Sequence, residues 1–201
     1  MKQINDSKSD VLQDERRDQI KRAALKVFAK RGIDGTKMST IAAEAGISQG
    51  LSYRYFSSKE EIFTVLVQEA IEEAQIAIRN VGHLPGSPKE QLRLFTQRLL
   101  DESHKHYFLL LQHALTSEEV PVQAKQLMEQ YSPNETIDQL VPIFIKGQQM
   151  GEFYEGDPHK LLFIYFSVIT GLMLQESLTP HDYWIQEVDI LMRILTVVAS
   201  S

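Results

Sequence analysis

Residues 38–54 read MSTIAAEAGISQGLSYR and predict two short helices joined by a tight corner. Apolar side chains recur at helical spacing up to Ala45, and Gly46 is placed to end that first helix. Ser48 can cap the second helix, because its hydroxyl can accept a hydrogen bond from a free backbone N–H in the first turn. The arrangement is typical of a helix-turn-helix, whose second helix enters the major groove of DNA. Polar helical hairpins also occur in proteins that bind no DNA, so the pattern alone leaves both interpretations open.

The second of these helices offers side chains that suit a DNA groove. Gln49 stands in its first turn, where an amide can pair bidentately with adenine, and Gly50 allows a close approach of the backbone. The polar surface predicted to face the groove consists of Ser48, Gln49, Gly50, Ser52, Tyr53 and Arg54. Phosphate contacts, which position a protein without reading sequence, are expected from Lys37, Tyr53, Tyr55 and Lys59.

Further helices flank this motif. An apolar repeat between Ile20 and Phe28 predicts an amphipathic helix on the N-terminal side. On the other side, Ser58 and Glu61 have the spacing of a capping box, which predicts the start of another helix. We therefore expect a flexible N-terminal arm over residues 1–13, a helix-turn-helix DNA-binding domain over 14–60, and a helical body over 61–201.

A longer stretch, residues 45–62, reads AGISQGLSYRYFSSKEEI and resembles the signature of the TetR family of bacterial transcriptional regulators. Residues 28–36 (FAKRGIDGT) and 41–46 (IAAEAG) match the family pattern as well, and the likeness covers residues 16–66. Farther along, only the helical architecture and the stretch GQQMGEF at 147–153 look similar. The resemblance implies a DNA-binding head and a helical body that binds a ligand and forms a dimer.

The resemblance also implies which residues face DNA. By position, these are Lys37, Ser39, Gln49, Gly50, Leu51, Tyr53, Arg54, Tyr55 and Lys59. Two positions depart from the family pattern. Lys37 stands where the family usually has a small hydroxyl that caps the second helix, so we expect the cap to shift to Thr36. Ser52 stands where a bulkier apolar residue is common, so we expect the third helix to pack less tightly.

Composition and charge narrow the class of protein. The 201 residues include no cysteine, which excludes disulfides, thiolate zinc sites and a cysteine nucleophile. The most apolar run, residues 161–174, is shorter than the roughly 20 residues of a membrane-spanning helix, and we expect a cytoplasmic protein without membrane contact. Residues 1–60 contain 12 lysines and arginines against 8 aspartates and glutamates, whereas the remainder contains 9 against 19. A basic head on an acidic body favours an anionic partner at the head, although ordinary scatter explains the asymmetry equally well.

The body is predicted to be helical throughout, and the fold class is all-α. No alternating, β-branched run is long enough to predict a sheet. Helices are expected near residues 88–104, 105–116, 121–131, 133–150, 158–177 and 182–199. A cavity for a small apolar or aromatic effector is predicted among Phe95, Leu99, Tyr107, Leu111, Phe144, Phe163 and Phe166. For each of these residues, the alternative is ordinary packing in the hydrophobic core.

Residues 161–174 are apolar almost all round, which predicts that this helix is covered by another subunit. Together with the last helix it can build a four-helix interface about a two-fold axis. The homodimer contacts that we predict are Ser167, Gly171, Leu174, Leu191 and Ile194.

A rival interpretation starts from Glu102, His106 and His113, which lie on one face if a single helix runs through them. Metal ligation would make the protein a helical metal-dependent enzyme, whereas the simpler explanation is an ordinary polar face. The Asp101–His104 pair lacks the second carboxylate–histidine motif of helical di-iron sites, and Asp182 after His181 is better explained as a helix cap. We therefore predict no metal, no cofactor and no enzyme activity.

The function that we predict from the sequence is transcriptional regulation through DNA. We expect a repressor that binds a pseudo-palindromic operator in double-stranded DNA as a dimer and is released by its effector. In a third interpretation, the head binds DNA and the body senses nothing, acting only as a dimer scaffold.

Overall fold

The computed structural model describes residues 2–131, 133–175 and 183–197, and these are helical over most of their length. The all-α fold class is confirmed, and the bridge between Phe153 and Thr196 is isolated rather than part of a strand. A short 3₁₀ turn covers Val81–His83. The helices are α1 (Lys2–Arg31), α2 (Met38–Glu44), α3 (Gln49–Ser52), α4 (Lys59–Arg79), α5 (Pro88–Leu99), α6 (Glu102–Thr116), α7 (Val122–Gln130), α8 (Pro133–Gln149), α9 (Pro158–Leu174), α10 (Tyr183–Gln186) and α11 (Val188–Met192).

The chain forms two compact units, and the division falls within α4 and within α6. The first unit comprises residues 1–70 and 109–130, and the second comprises residues 71–108 and 131–201. The predicted DNA-binding domain, residues 14–60, lies wholly inside the first unit. The predicted body, residues 61–201, is shared between the two.

The first unit is built on the apolar face of α1. Ile20, Ala24 and Phe28 are fully buried on this face, which confirms the helical repeat read from the sequence. The rings of Phe28 and Phe63 meet edge to face, with centroids 5.1 Å apart, and this contact ties α1 to α4. Burial of these large side chains supplies most of the stabilisation in a helical unit of this kind.

The α1 helix begins much earlier than the sequence predicts. It runs from Lys2 to Arg31, so the backbone of residues 2–13, the segment expected to be a flexible arm, continues the helix. The physical reason is that this segment contains neither glycine nor proline. Extending an existing helix by one residue avoids the cost of nucleation, so a polar stretch without a helix breaker can continue it.

The core of the second unit lies between α5, α8 and α9. Phe144 and Phe153 stack face to face with their centroids 4.6 Å apart and their planes within 3°. Gly147, one turn after Phe144, gives the Phe153 ring its place, because a Cβ atom at this position would overlap the ring. The α8 helix continues through Pro142, which is exposed.

The C-terminal region differs from the single helix predicted over residues 182–199. The chain forms α10 and α11, and then turns so that Thr196 pairs with Phe153. The Tyr154 N–H donates to the Leu195 carbonyl at 2.9 Å, and the Val197 N–H donates to the Glu152 carbonyl at 3.2 Å. Hydrogen bonding to the Phe153 segment satisfies the backbone groups that a continued helix would have paired internally, and β-branched residues suit the extended conformation.

Candidate nucleic-acid interface

The helix-turn-helix forms as predicted, from α2, a glycine corner and α3. Gly46 adopts φ 66°, a left-handed conformation that favours glycine and ends α2. Ser48 is the N-cap of α3, and its hydroxyl oxygen accepts a hydrogen bond from the Leu51 N–H at 3.2 Å. Both signals are local, which is why the sequence located this corner correctly.

Most of the side chains expected to contact DNA are available to solvent. Gln49 and Gly50 are exposed at the start of α3, and the Tyr53 side chain is 49% exposed immediately after it. The other exposed members of the expected set are Lys37, Ser39 and Arg54, and the half-buried members are Leu51, Tyr55 and Lys59. The exposed groups of α3 are therefore polar groups that can hydrogen-bond to base edges or phosphates.

Ser52 does not face the groove, contrary to the sequence analysis. Its side chain is fully buried, and its hydroxyl donates to the Gln49 carbonyl at 2.7 Å. A small residue whose hydroxyl is satisfied by its own helix can be buried without an unpaired polar group. Ser52 is thus a packing residue of the recognition helix.

Thr36 does not cap α2, which corrects a second expectation. Its buried hydroxyl donates to the Gly32 carbonyl at 2.6 Å and so closes the turn that follows α1. Lys37 occupies the N-cap position of α2 and makes no capping hydrogen bond with its side chain. A lysine side chain has only donors and cannot accept from the free N–H groups of the first turn.

Lys59 is held within the first unit more firmly than the sequence suggests. Its ammonium group donates to the Ile33 carbonyl at 2.7 Å, and the side chain is half-buried. This hydrogen bond joins the start of α4 to the turn after α1. The phosphate contact expected of Lys59 stays a prediction.

The capping box that opens α4 is present in a shifted form. The Glu61 N–H donates to the Ser58 hydroxyl oxygen at 3.2 Å, as predicted. The Glu61 carboxylate accepts hydrogen bonds from the backbone N–H and the hydroxyl of Ser57, both at 2.7 Å, instead of reaching the Ser58 N–H. These two hydrogen bonds lower the pKa of Glu61, the backbone bond contributing most, and the Arg17 guanidinium lowers it further.

The residues expected to line an effector cavity are not brought together as one lining. Phe95 and Phe144 are buried in the core of the second unit, whereas Phe163 is 61% exposed on α9. Leu111 is buried in the first unit, and Leu99, Tyr107 and Phe166 are half-buried in the second. Phe163 lies outside the core of the second unit, and its role in binding an effector stays a prediction.

An open depression does lie on the surface of the second unit, where α8 and α9 run side by side. Its volume is about 510 Å³. The His159 Nε2 atom lies 3.1 Å from the Asp138 carboxylate at its rim. The lining residues are Ile137, Asp138, His159, Lys160, Phe163 and Ile164.

The predicted dimer contacts fall into two groups. Ser167, Gly171 and Leu174 are exposed on α9, and nothing lies within 4 Å of the position of a Cβ atom at Gly171. Leu191 is buried in the core of the second unit, and Ile194 is half-buried against it. Leu191 is therefore corrected, because it packs within its own subunit, whereas the dimer contact expected of Ile194 stays a prediction.

The α9 helix carries a continuous apolar surface beside those three residues. We call Phe163, Ile164, Ser167, Val168, Gly171 and Leu174 the α9 face; all six are exposed. Four of them are large hydrophobic residues, among which Phe163 and Ile164 are more than half exposed. Contiguous exposed apolar surface of this kind usually marks an interaction site.

A single helix, α6, includes Glu102, His106 and His113, which is the condition on which the rival interpretation depends; the sequence instead predicts a division near residue 104. The imidazole of His113 lies against α1, with its Nε2 atom 3.2 Å from the Ala29 carbonyl oxygen. Across the described ranges, no three metal-ligating side chains are grouped so that they could hold a metal ion. The His104 Nδ1 atom lies 3.6 Å from the Asp101 carboxylate, and His181 and Asp182 fall outside the described residues.

No helix within the described ranges combines the length and apolar character needed to cross a membrane.

Comparison with known proteins places this chain among bacterial regulators. The sequence model described as "Bacterial regulatory proteins, tetR family" matches residues 20–66. The chain is 28% identical over 120 residues to the HTH-type transcriptional activator FasR of Mycolicibacterium smegmatis, a match that covers 58% of this chain and 55% of the relative. The chain spans about half the length of the curated relatives it matches.

Solved structures share the fold over nearly the whole chain. The ketosteroid transcriptional regulator KstR2 of Mycobacterium tuberculosis superposes with a TM-score of 0.66 at 21% identity, covering 91% of this chain and 96% of that one. A transcriptional regulator from Saccharomonospora viridis in complex with choline gives 0.68 at 18% identity, covering 92% and 100%. These likenesses concern the fold, whereas the signature is carried by residues 20–66. Residues 20–66 of this chain match the TetR family of bacterial regulatory proteins.

Proposed function

We propose that this protein is a DNA-binding transcriptional regulator that binds a pseudo-palindromic operator as a homodimer and is released by a small effector. The observation that carries the proposal is α3, a capped helix that follows a glycine corner, with Gln49 exposed in its first turn and Tyr53 and Arg54 exposed directly after its end. The family match over residues 20–66 includes this helix completely. A polar, exposed second helix in this motif suits the major groove of DNA.

Within α3, we assign the reading of bases to Gln49. It is exposed in the first turn, and its side chain amide carries both a donor and an acceptor, the pair that recognises adenine. Tyr53 lies at the other end of the helix, where a phenolic hydroxyl can reach a phosphate but carries no charge. Arg54 is the next candidate for base contact if Gln49 does not read sequence.

The dimer is proposed to form through the α9 face. Leaving Phe163 and Ile164 in water costs free energy that a second copy would recover by covering them. Because a two-fold interface places the same surface on both subunits, the exposed Gly171 lets the two α9 helices approach closely. A dimer also explains a pseudo-palindromic operator, since each head then contacts one half-site.

The effector is proposed to be a small apolar or aromatic molecule that binds the second unit. One structural neighbour is described as a ketosteroid regulator, which supports an apolar effector, and another was solved with choline, a small cation, which supports only the binding of a small molecule. The effector lowers DNA affinity if it stabilises a conformation that fits DNA less well. We propose that DNA binding represses transcription. The relative from M. smegmatis is named an activator, so the sign of regulation needs its own test.

Selection from a random pool of DNA tests this function directly. Wild-type protein is used to enrich duplexes of about 30 base pairs, and affinity is measured for an enriched and for a scrambled duplex. We expect an enriched inverted repeat, and we expect Gln49→Ala to cost roughly 1–3 kcal/mol on that duplex and little on the scrambled one. Gln126→Ala, an exposed glutamine of α7, is the matched control.

Each outcome of that selection decides a part of the proposal. Failure to enrich any sequence would contradict sequence-specific regulation. Equal weakening of both duplexes by Gln49→Ala would move base reading to Arg54. Transcription in vitro from a promoter that carries the enriched repeat gives the sign, and a panel of apolar compounds tests release. If no compound shifts DNA affinity, the body is a dimer scaffold rather than a sensor.

A further inference from the structure

The middle of α1 holds the helix-turn-helix at two points on its backbone. The Gln19 side chain amide donates to the Ala45 carbonyl at 2.7 Å, where α2 ends and the corner begins. The Arg17 guanidinium donates to the Tyr55 carbonyl at 3.0 Å, shortly after α3 has ended. Two side chains that lie two residues apart in α1 therefore hydrogen-bond to the backbone before and after the recognition helix.

A second residue of α1 orients the Gln19 side chain that donates to the Ala45 carbonyl. The Arg16 guanidinium donates to the Gln19 Oε1 atom at 2.7 Å. A cation on Oε1 leaves the NH₂ group of the same amide to point at the Ala45 carbonyl, and it strengthens that group as a donor. Arg16 and Gln19 thus form a two-step connection from α1 to the corner.

After the recognition helix, three contacts converge on one guanidinium. Besides its hydrogen bond to Tyr55, Arg17 lies over the ring of Phe56 with its central carbon 4.1 Å from the ring centroid. Its Nη2 atom is 3.8 Å from the Glu61 carboxylate. Phe56 is almost completely buried, so this ring is a fixed platform. A planar guanidinium can stack and hydrogen-bond in its own plane at once, which an ammonium group cannot do.

The recognition helix needs such support because it is very short. The α3 helix contains four residues, from Gln49 to Ser52, and isolated helices of this length are unstable in water. A tilt of α3 moves the Gln49 amide relative to the base edges, and misplacement of about 1 Å is costly for groups that must be precisely oriented. Contacts that hold the two ends of α3 in place therefore also determine where the Gln49 amide lies relative to the base edges.

We propose that Arg17 and Gln19, with Arg16 orienting Gln19, are positioning residues that hold α3 at the angle from which Gln49 reads DNA. This inference rests on the proposed function, because it concerns sequence-specific DNA binding. In it, the three side chains act through the Ala45 and Tyr55 carbonyl groups and the Phe56 ring, without a base contact of their own.

Two conservative variants test the positioning role. Arg17→Lys keeps the charge but loses the planar stacking and the fork of donors, and Gln19→Met keeps the length but loses the amide donor. The controls are Arg22→Lys and Gln126→Met. Arg22 is exposed on α1 and makes no hydrogen bond or ion pair with the described part of the chain. The probe is the duplex that the wild-type protein enriches from a random pool, together with its scrambled counterpart.

We expect each positioning variant to lower the ratio of specific to scrambled affinity by about 5-fold, the effect of losing one hydrogen bond. The salt dependence should stay the same, because no variant changes the charge of residue 17 and Gln19 is neutral. Hydrogen exchange of the backbone amides of residues 49–56 should become faster, while the exchange of the α4 amides stays unchanged. Both controls should match the wild type.

The outcomes separate this inference from the proposed function. If the wild-type protein enriches no duplex, the proposed function fails. If Gln49→Ala lowers the specificity ratio but Arg17→Lys and Gln19→Met leave it unchanged, only the positioning role is overturned. An equal loss on both duplexes would assign Arg17 to general phosphate binding, and failure of both variants to fold would assign the pair to stability. Either result would overturn the inference as well.

Discussion

The exposed surface of α3 and the α9 face differ in chemistry. The exposed groups in and directly after α3, among them Gln49 and Arg54, are polar and remain well solvated when no partner is present. The α9 face exposes Phe163 and Ile164, and their contact with water is energetically unfavourable for as long as they stay uncovered. The surface around α3 therefore suits a partner that is bound and released, whereas the α9 face suits a partner that stays bound.

The two regions also differ in how far the family resemblance reaches. The family's sequence model matches residues 20–66, which include α3, and does not extend to α9. DNA presents the same phosphate spacing and groove dimensions to every regulator, so one local arrangement of residues serves many operators. An apolar face has to complement only its own partner, and many combinations of apolar side chains can do that.

The largest effect is expected from a charge placed in the α9 face. Gly171→Arg should convert the dimer into a monomer, because two long cations would meet at a close approach between equivalent helices. Operator affinity should then fall by about 100-fold or more, since the contribution of the second half-site is lost. Light scattering at micromolar concentration measures the dimer, and Gln126→Arg on α7 is the control. A wild-type protein that is monomeric at this concentration would contradict the proposed interface.

A pair of glycine substitutions contrasts the core of the second unit with α3. Gly147→Ala should destabilise the protein by about 1–3 kcal/mol, because its Cβ atom would overlap the Phe153 ring stacked on Phe144. Gly50→Ala should leave the thermal midpoint unchanged or slightly higher, because nothing lies within 4 Å of its Cβ position. Thermal unfolding followed by circular dichroism measures both. Equal midpoints for the two variants would show that the Phe153 ring moves aside at little cost.

Two lysines near α3 sharpen the distinction between contacts to DNA and contacts within the protein. Lys37→Ala should lower the salt slope of DNA binding by about 0.9 per subunit and leave stability unchanged, since the side chain is exposed. Lys59→Ala should in addition lower stability by about 1 kcal/mol, because the hydrogen bond to the Ile33 carbonyl is lost. Salt titrations of DNA binding and urea unfolding measure the two quantities. If Lys59→Ala changes stability alone, Lys59 is a structural residue and touches no phosphate.

The smallest effect is expected from the pH dependence of the capping box. The pKa of Glu61 is lowered in the folded state, chiefly by the Ser57 N–H, from its ordinary value of 4.5. The carboxylate therefore contributes stability above that value and loses the contribution as the pH falls through the lowered pKa. Glu61→Gln should be less stable than the wild type at pH 7, and the gap should narrow below about pH 4. Urea unfolding at a series of pH values measures the gap, and a gap independent of pH would contradict the role of the charge.

The corner of the helix-turn-helix was predictable because its signals are local. Gly46 ends α2 through its own backbone conformation, and Ser48 caps α3 through a hydrogen bond within one turn. Ser52 was misread for a related reason. Its hydroxyl donates to the Gln49 carbonyl within the same helix, which allows the residue to be buried. A serine in the sequence does not by itself indicate whether its hydroxyl is paired in this way or faces solvent.

The all-α class, the position of α2 and α3, and the exposure of Gln49 follow from local sequence, because periodicity, caps and glycine act over a few residues. The tertiary structure decided which apolar side chains face inward. Leu191 and Gly171 both lie in periodic apolar segments, yet the first is buried and the second is exposed. It also decided that Thr196 pairs with Phe153 and that α1 grips both ends of the recognition helix. These contacts join residues far apart in the chain, and their free energies depend on how the helices pack together rather than on the order of neighbouring residues.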